Sequence, residues 1–354
     1  MRSPEPPDYD IEAYDFELPP KLVAQEPLPV RDASRLLVLE RATGALSHRS
    51  FGDLPELLRP GDLLVVNRSR VFKARLVGRR QGGGAAEILL VRRREAHVWD
   101  ALLRPGLRLQ TGAVVNVAPG FSVRIEPLAE GSAHRPERRV RFLLNGLDPD
   151  SAIELHGHVP LPPYIRRPDR ADDRERYQTV YARETGSIAA PTAGLHFTPE
   201  LLARLVERGV ALSELVLHVG PGTFRLVAAR DVREHRVPPE SFTVPDALAT
   251  AFSRARAEGR RAIAVGTTVV RALESALDAD GQLRAGDGET ALVIVPGFRF
   301  RAVDGLVTNF HLPRSSLLLL VAAFAGRTRS LAAYVEAVRL GYRFYSYGDA
   351  MLIV

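Results

Sequence analysis

The hydrophobic pattern of the chain changes twice, and this change most constrains the fold. Between residues 69 and 152 the sequence contains short apolar and β-branched runs separated by Gly or Pro, with no helical period between them. The six runs cover residues 71–77, 86–91, 97–103, 113–117, 121–125 and 139–144. Strands at such close spacing are typical of a small barrel or sandwich. We therefore predict a small β-barrel from residues 69–152.

Strands and helices alternate on both sides of this segment. The pattern predicts strands over residues 34–40, 62–67, 210–219, 261–265 and 292–295. It predicts helices over residues 51–58, 199–208, 245–258, 315–324 and 331–338, and one more that begins near residue 269. Such alternation is the signature of an α/β layered domain. We expect residues 1–68 and 153–354 to form one discontinuous α/β domain, in which the barrel is an insertion.

Composition narrows the classes of function. The 354 residues contain no cysteine, which excludes disulfides, thiolate nucleophiles and cysteine-ligated metals. Lys and Arg outnumber Asp and Glu by 48 to 42, and this net charge of +6 permits a polyanion partner without requiring one. The longest apolar run, residues 317–325, is far shorter than the ~20 residues of a membrane span. The first residues lack the apolar core of a signal peptide, so we expect a cytoplasmic protein without membrane contact.

Two glycine-rich segments are the first candidates for a site. Residues 186–198 hold many small side chains, which let the backbone approach a ligand closely, and His196 stands just before a predicted helix. In residues 215–224, His218 ends a strand before a Gly-Pro-Gly-Thr turn, at the edge where open α/β sheets bind ligands. Alternatively, His196 is a structural hydrogen-bonding group and His218 faces the core before a tight turn.

A third segment leads from a buried strand into a helix. Gly266, Thr267 and Thr268 stand at the helix start, where free N–H groups and the helix dipole favour a carboxylate or a single phosphate. Arg271 and Glu274 follow three residues apart on the same helix, and a simple ion pair between them is the alternative interpretation.

The last two segments lie near the C-terminus. His311 precedes a predicted buried helix, and an aromatic cluster with Tyr345 and Tyr347 precedes Asp349. The rings could stack on a base or face a cation; alternatively, they belong to a core strand followed by an Asp-containing turn.

A metal site is not expected. The His-x-His pair of His156 and His158 is followed by a proline-rich stretch, and no His-Glu-x-x-His motif occurs. The sequence also lacks the Gly-x-Ser-x-Gly elbow, which argues against a serine hydrolase.

Taken in chain order, these segments resemble the S-adenosylmethionine:tRNA ribosyltransferase-isomerase family of queuosine biosynthesis. The matching stretches are RDASRLLVL at 31–39, GDLLVVN at 61–67 with Arg70, GHVPLPPYI at 157–165, ERYQTVY at 175–181, APTAGLHFT at 190–198, LHVG at 217–220, GTF at 222–224, VGTT at 265–268, TNFHLP at 308–313 and YGD at 347–349. They run in family order over nearly the whole chain, which excludes a chance match.

The resemblance implies an α/β domain interrupted by a small β-barrel and an unusual reaction. The ribosyl part of S-adenosylmethionine is moved onto the aminomethyl nitrogen of 7-aminomethyl-7-deazaguanine in a tRNA anticodon loop. The sugar is isomerised to an epoxycyclopentanediol, and adenine and methionine leave, which gives epoxyqueuosine-tRNA. S-adenosylmethionine is a consumed cosubstrate, and no metal is needed. We expect a monomer.

The implied site residues fall into three sets. A sulfonium acidifies the neighbouring 5′ hydrogens, so a positioned base can open the sugar, and departing adenine needs a proton donor. The expected catalytic residues are His196, His218, Glu274, His311 and Asp349. The expected substrate-binding residues are Thr192, Gly194, Gly220, Gly222, Thr223, Gly266, Thr267, Thr268, Arg271, Asn309, Tyr345 and Tyr347. The expected RNA-binding residues are Arg92, Arg93, Arg94, Arg166 and Arg167, for which a solvated charged face is the alternative.

Two departures from the family pattern keep other functions open. The chain has Asn67-Arg68-Ser69-Arg70 where the family has Asn-Asp/Asn-Thr-Arg, and Pro238 replaces the second histidine of a His-x-Met-His-x-Glu stretch. The replaced histidine motivates a second hypothesis, the same chemistry on an acceptor other than tRNA. A third hypothesis is a non-catalytic RNA-binding protein that uses the barrel.

Overall fold

The computed structural model describes residues 8–127, 137–224 and 226–354. Its contacts divide the chain into two units. The first comprises Met1–Arg70, Pro162–Arg167 and Glu175–Val354, and the second comprises Val71–Leu161 and Pro168–Arg174.

The strands and helices are numbered in chain order. The strands are β1 (Arg35–Leu39), β2 (Leu46–Ser50), β3 (Leu63–Asn67), β4 (Ser69–Val71), β5 (Arg75–Arg80), β6 (Ala85–Glu95), β7 (Val98–Arg104), β8 (Val114–Ala118), β9 (Phe121–Ile125), β10 (Arg138–Leu144), β11 (Glu184–Ser187), β12 (Ala211–Leu217), β13 (Glu240–Val244), β14 (Ala262–Val265), β15 (Gly286–Thr290), β16 (Gly305–Asn309) and β17 (Ala350–Ile353). The helices are α1 (Leu54–Leu57), α2 (Pro149–His156), α3 (Asp173–Arg176), α4 (Pro199–Glu207), α5 (Asp246–Ala257), α6 (Thr267–Ala276), α7 (Ser316–Ala325) and α8 (Arg327–Arg339).

A nine-stranded mixed sheet forms the centre of the first unit, in the order β15-β13-β12-β3-β14-β16-β17-β1-β2. The four central strands β12, β3, β14 and β16 are parallel, so their carboxyl ends meet at one edge. Antiparallel strands complete both sides of the sheet. Central strands such as β3 and β14 are buried along their whole length, as expected for a parallel sheet covered on both faces.

The core of the first unit has two layers because successive strand residues point to opposite faces of the sheet. Leu63 and Val65 of β3 pack with residues of α5, α6, α7 and α8, whereas Leu64 and Val66 pack with residues of α1 and α4. Local signals start and stop these helices. Thr198 caps α4 by accepting the amide proton of Leu201 at 3.1 Å. This α/β layering confirms the predicted fold class.

The second unit contains a closed antiparallel barrel in the order β10-β7-β6-β5-β8-β9. Inward-facing residues such as Leu76, Ile88, Val123 and Val140 are fully buried, in alternation with more exposed neighbours. The barrel prediction is therefore confirmed. The run predicted over residues 71–77 is displaced, because β4 ends at Val71 and the barrel strand β5 begins at Arg75.

Two other predicted elements need correction. The strand predicted over residues 292–295 is wrong. There the Leu292 amide donates to the Thr290 hydroxyl at 3.1 Å, and its carbonyl accepts from Arg271 Nε at 2.9 Å instead of pairing in the sheet. The helix predicted from residue 269 begins at Thr267, because Gly266 makes the turn from β14 with a φ of 93°. Such a positive φ favours glycine.

No single helix in the described part of the chain is long and apolar enough to cross a membrane. By length and composition alone, α7 and α8 together could, but the chain bends by 117° at the break between them.

Candidate active site

A pocket of about 700 Å³ opens in the first unit where the parallel strands end. It is lined by residues that follow β12, β14 and β16, together with the small-residue loop before α4 and two aromatic side chains. The lining residues are Tyr164, Ala190, Pro191, Thr192, Ala193, Val219, Thr223, Gly266, Thr267, Thr268, Thr308, Asn309, His311, Leu312, Ser315, Leu317, Tyr345 and Ser346. The carboxyl ends of parallel strands are where open α/β sheets bind ligands.

The pocket brings together eight of the sequence-predicted site residues. These are Thr192, Thr223, Gly266, Thr267, Thr268, Asn309, His311 and Tyr345. They come from five segments that together span residues 192–345, and the sheet edge brings them together. Gly194 does not line the pocket, but it is needed beside it, because a Cβ there would lie 2.1 Å from Tyr181 Oη.

The start of α6 contributes polar groups to the pocket wall. Gly266, Thr267 and Thr268 all line the pocket, at the helix end where backbone N–H groups lack intrahelical partners. The hydroxyl of Thr268 is buried and has no hydrogen-bond partner. This end of α6 therefore offers several donors to an anionic group of a ligand.

Asn309, at the end of β16, presents an unused acceptor. Its Nδ2 donates to the Tyr345 carbonyl at 3.2 Å and lies 3.0 Å from His196 Nε2. A carbonyl oxygen can only accept, so the amide is oriented with nitrogen on that side. Asn309 Oδ1 is then left buried without a partner in a side chain that is 2 % exposed and lines the pocket. A buried unpaired acceptor is costly unless a ligand donates to it.

The orientation of Asn309 also fixes the tautomer of His196. Since Asn309 Nδ2 donates to Nε2, the ring proton is on Nδ1, which donates to Ser34 Oγ at 2.7 Å. The ring stacks on Phe51 at 4.9 Å. Burial, and then the charges of Arg343 and Arg31, lower the pKa of His196 to about 3. His196 does not line this pocket; both of its ring nitrogens are engaged in positioning Asn309.

His311 is the one predicted proton carrier that lines the pocket. Its Nε2 lies 2.8 Å from Thr308 Oγ1, and its main-chain amide donates to the Tyr334 hydroxyl at 3.1 Å. Burial lowers the pKa of His311 to about 3, so the imidazole is neutral at physiological pH. A neutral imidazole can accept a proton or a hydrogen bond.

Two tyrosines form a stacked aromatic wall. The rings of Tyr164 and Tyr345 have centroids 4.1 Å apart and an interplanar angle of 29°. Tyr345 has a φ of 74°, which is a strained conformation for a bulky residue. Its main chain is held there by bonds from Asn309 Nδ2 to its carbonyl and from its amide to the Phe310 carbonyl. An aromatic face of this kind suits a base or a cation.

Arg271 lies outside the pocket, and its partner is not Glu274. Its guanidinium forms an ion pair with Glu240, and both side chains are buried. Glu240 Oε1 also accepts from the Gly220 amide at 2.7 Å and from the Thr223 hydroxyl at 3.4 Å. The pair therefore holds the loop that carries Thr223 into the pocket. This long-range contact excludes the alternative interpretation of the sequence, an ion pair between Arg271 and Glu274.

Glu274, Asp349 and His218 also lie outside the pocket. The carboxylate of Glu274 accepts the amides of Arg301 and Ala302 at 2.9–3.1 Å, and burial raises its pKa. Asp349 accepts the amides of Arg35 and Arg343. Both carboxylates therefore bind main-chain amides of other segments, Glu274 at residues 301 and 302 and Asp349 at residues 35 and 343.

His218 and the glycines after it sit behind the Thr223 loop. The His218 ring packs against Gly186, where a Cβ would be 2.6 Å from the ring, and burial lowers its pKa. Gly222 lies against Pro238, since a Cβ added at position 222 would be 3.2 Å from Pro238 Cδ. The Gly220 amide donates to Glu240, as described above. These positions shape the loop without lining the pocket.

The predicted RNA-binding arginines are exposed or paired. Arg93 forms an ion pair with Asp150 at 2.9 Å and Arg94 with Asp100 at 2.5 Å in the second unit, and Arg92 is exposed beside them. In the first unit Arg166 is exposed, and Arg167 Nε donates to the Gln25 carbonyl at 3.1 Å.

No group of three or more His, Cys, Asp or Glu side chains is placed to hold a metal within the part of the chain that the structure describes. The His-x-His pair of His156 and His158, which was the sequence feature most similar to a metal site, makes other contacts. His158 Nδ1 lies 3.0 Å from Asp169 Oδ1, and His156 packs against Phe121 at 6.0 Å.

The sequence of this chain matches the sequence model of a known protein family. The model described as "Queuosine biosynthesis protein" matches residues 11–353. The chain belongs to this family. The predicted resemblance is therefore confirmed, and the pocket described above is the candidate active site of a queuosine biosynthesis protein.

Individual relatives of this queuosine biosynthesis protein span its whole length. An S-adenosylmethionine:tRNA ribosyltransferase-isomerase of Moorella thermoacetica is 52% identical and covers 97% of this chain and 99% of its own. One of Thermus thermophilus is 53% identical, with the same coverage of each chain. A crystal structure of S-adenosylmethionine tRNA ribosyltransferase from Thermotoga maritima is 39% identical, covers 97% of this chain and 100% of its own, and has a TM-score of 0.54.

Several residues of this queuosine biosynthesis protein were missed as site residues from the sequence. Tyr164 and Ser346 line the pocket, and Ser34 orients His196, although the motifs that contain Tyr164 and Ser34 were noted. Arg31 and Arg176 line a second pocket beside the first. Both arginines stand in stretches that match the family, and this match is the signal by which the sequence could have identified them.

Proposed function

We propose that this protein transfers and isomerises the ribosyl moiety of S-adenosylmethionine onto 7-aminomethyl-7-deazaguanine in a tRNA anticodon loop. Adenine and methionine leave, and the product is epoxyqueuosine-tRNA. The curated relatives at about half identity over nearly the full length carry the name of this enzyme. We further propose that the protein acts as a cytoplasmic monomer.

The observation that carries the proposal is the composition of the pocket wall. One cavity combines a helix start, a buried unpaired acceptor, a neutral imidazole and a stacked aromatic pair. A sulfonium nucleoside has a carboxylate, hydroxyl and amino donors, acidic C–H groups and a flat base, and each group has a counterpart in this wall.

For the binding of S-adenosylmethionine, we give a role to three parts of the pocket wall. The methionine carboxylate is bound by the start of α6 at Gly266, Thr267 and Thr268. Asn309 Oδ1 accepts a hydrogen bond from a hydroxyl or amino group of the nucleoside. The aromatic face of Tyr345 lies against the base or the sulfonium. Arg271 contributes by holding the Thr223 loop and does not bind the carboxylate.

The chemical half assigns the base to His311. Burial keeps the imidazole unprotonated across the ordinary pH range, so it is available to accept the 5′ proton, and the acidity that the sulfonium gives to that C–H group compensates for the weak basicity of the ring. His196 serves instead as a positioning residue for Asn309. Asp349 and Glu274 act through the main-chain amides that they bind, and His218 through its packing on Gly186.

The proposal is tested with purified protein, S-adenosylmethionine and tRNA that carries 7-aminomethyl-7-deazaguanine. Mass spectrometry follows adenine, methionine and the tRNA. Release of both products together with a ribosyl-sized mass gain on the tRNA is the expected result. The free base 7-aminomethyl-7-deazaguanine serves as a second acceptor, and its modification in place of the tRNA would establish the alternative that Pro238 motivated. Binding of tRNA with no release under either condition would leave the non-catalytic RNA-binding hypothesis.

A further inference from the structure

A second, smaller pocket lies beside the candidate active site in the first unit. It has a volume of about 290 Å³ and includes Arg31, Ser34, Arg176, His196, Ser346 and Tyr347 in its lining. Ser346 lines both pockets, so the two are neighbours. Sequence reasoning assigned Tyr347 to substrate binding, and it lies here, edge-on to Tyr177 with ring centroids 5.8 Å apart.

The two arginines of this pocket have only carbonyl partners. Arg31 donates to the main-chain oxygens of Leu195 at 3.0 Å and Glu175 at 2.8 Å. Arg176 donates to the main-chain oxygens of Pro29 at 2.9 Å and Leu28. Among the residues that the structure describes, no carboxylate forms an ion pair with either guanidinium.

Three other partly buried arginines of this unit form ion pairs with carboxylates. Arg35 pairs with Asp349, Arg261 with Asp62, and Arg271 with Glu240. Arg31 and Arg176 differ from these three, because backbone carbonyls hold two like charges in the lining of one pocket. Burial and the neighbouring Arg176 both lower the pKa of Arg31, which is the expected effect of desolvation and repulsion.

A third positive charge acts on the same region. Arg343 donates to the Glu26 carbonyl, next to Pro27 of the pocket lining, and its Nη1 is buried without a partner. The charges of Arg343 and Arg31 both lower the pKa of His196. An anion in the pocket would offset this excess of positive charge, and guanidinium groups suit the oxygens of a phosphate.

We propose that the Arg31–Arg176 pocket binds a backbone phosphate of the acceptor RNA and thereby places the acceptor nucleotide at the neighbouring active site. The inference rests on the proposed function and names how its RNA substrate is held. A phosphodiester is favoured over the methionine carboxylate because the start of α6 already provides a carboxylate site in the first pocket. The pocket also differs from the surface arginines Arg93 and Arg94, whose charges are already paired.

The test uses the full-length variants Arg31→Gln and Arg176→Gln, with Arg49→Gln as control, since Arg49 is an exposed arginine of β2 outside both pockets. Binding of an unmodified tRNA transcript is measured by fluorescence anisotropy at several salt concentrations, and S-adenosylmethionine binding by calorimetry. We expect each pocket variant to raise the Kd for tRNA about ten-fold and to lower the salt slope by about 0.7 for the lost phosphate contact. The Kd for S-adenosylmethionine stays unchanged, and the control behaves as the wild type.

Two results would overturn the proposal. Wild-type affinity for tRNA in both pocket variants would mean that the arginines only tie the backbone together. A raised Kd for S-adenosylmethionine with unchanged tRNA binding would mean that the pocket holds the methionine carboxylate. Failure of the proposed function is a separate outcome, because it shows as absent adenine release by the wild type, whatever the variants bind.

Loss of the carbonyl contacts could unfold the glutamine variants, so Arg31→Lys and Arg176→Lys are measured alongside them. Lysine keeps the charge but loses the bidentate geometry. We expect the lysine variants to keep the wild-type salt slope and to bind tRNA about three-fold more weakly, which corresponds to a fraction of one charged hydrogen bond. Wild-type affinity in folded lysine and glutamine variants, checked by circular dichroism, would contradict the proposal.

Discussion

At the scale of single residues, the environment of an imidazole decides what it can do. His196 and His311 are both buried histidines with a pKa lowered to about 3, yet their surroundings differ. His196 has partners on both ring nitrogens, Ser34 and Asn309. His311 has Thr308 on one nitrogen and lines the pocket. Both nitrogens of the first ring are engaged by protein groups, whereas the second ring lines the candidate active site and can meet the S-adenosylmethionine substrate.

Replacement of His311 should therefore affect the chemical step. We expect His311→Gln to lower kcat for adenine release by at least about a hundred-fold, as for loss of a general base. The Kd for S-adenosylmethionine should change little, since the binding groups of the wall stay in place. A raised Kd with an unchanged kcat would show that His311 binds and does not transfer a proton.

The pH profile provides a second measurement of the same residue. The pKa of His311 is lowered to about 3, so its protonation should not reduce activity as the pH falls from 8 to 5. We expect the wild-type kcat/KM to show no acid limb near the ordinary histidine value. An acid limb at that value which disappears in His311→Gln would mean that the pKa of His311 in the free enzyme is near the ordinary value, and it would contradict the prediction.

Asn309 should act on binding. Removal of the buried acceptor in Asn309→Ala should raise the Kd for S-adenosylmethionine about ten-fold, as expected for loss of one hydrogen bond to a buried partner. His196→Ala should have a similar effect, because the Asn309 amide then loses its support. Calorimetry measures both, and Asn145→Ala, an exposed asparagine, is the control. Unchanged affinity in Asn309→Ala would exclude its oxygen as a ligand contact.

At the scale of elements, one ion pair links α6, β13 and the loop after β12. Arg271 of α6 and Glu240 of β13 are both buried, and Glu240 also holds Gly220 and Thr223 of the loop. The pair connects the two pocket segments that bear Thr268 and Thr223. A single partner left without its counter-charge is strongly destabilising in a protein interior.

We expect Glu240→Gln to lower the free energy of unfolding by about 3 kcal/mol, since it leaves the Arg271 charge buried and unpaired. The double variant Glu240→Gln/Arg271→Met should recover part of the loss, because no buried charge remains. Urea unfolding followed by circular dichroism measures both. Glu56→Gln, which removes an exposed partner of Arg204 and Arg208, serves as the control and should be neutral. Equal stability of Glu240→Gln and the control would contradict this view of the pair.

At the scale of the whole molecule, the two buried histidines make stability depend on pH. They titrate near 3 when folded and near the ordinary value of 6.5 when unfolded. Between these values the unfolded state binds more protons, so stability is full above pH 6.5 and falls as the pH decreases toward 3. Each histidine contributes up to about 1.4 kcal/mol per pH unit in this window.

The division into two units makes it possible to test which unit is responsible for this pH dependence of stability. Both histidines lie in the first unit, whereas the single tryptophan, Trp99, lies in the barrel. Far-UV circular dichroism, which follows the helices of the first unit, should show an urea midpoint that falls between pH 7 and pH 5. We expect His311→Gln to flatten this dependence, and Trp99 fluorescence to show a weaker one. An equal slope in the variant would mean that other groups cause the acid sensitivity.

The sequence by itself determined the fold class, the barrel and many of the helices and strands, but it did not predict β2, β13, β15, β16 or β17. Period-2 and helical patterns, the Thr198 cap and the glycine turns act over a few residues, so the barrel, the α/β alternation and the family stretches could all be predicted from neighbouring positions. The rule that ligands bind at the carboxyl ends of parallel strands, applied to the strand that ends near His218, predicted a site at the turn with Thr223, which lines the pocket, although His218 itself does not.

Only the tertiary structure decided the role of each side chain. The tautomer of His196 depends on Ser34 and Asn309, which are 162 and 113 residues away. Glu240, rather than the nearby Glu274, pairs with Arg271 because the sheet brings β13 against α6. Hydrogen bonds and charges act over a few ångströms in space, and the distance between such partners along the chain carries no signal of their contact. The hydrogen-bond and charge partners of each side chain are therefore determined by the tertiary structure, whereas the pattern of helices and strands follows from neighbouring residues in the sequence.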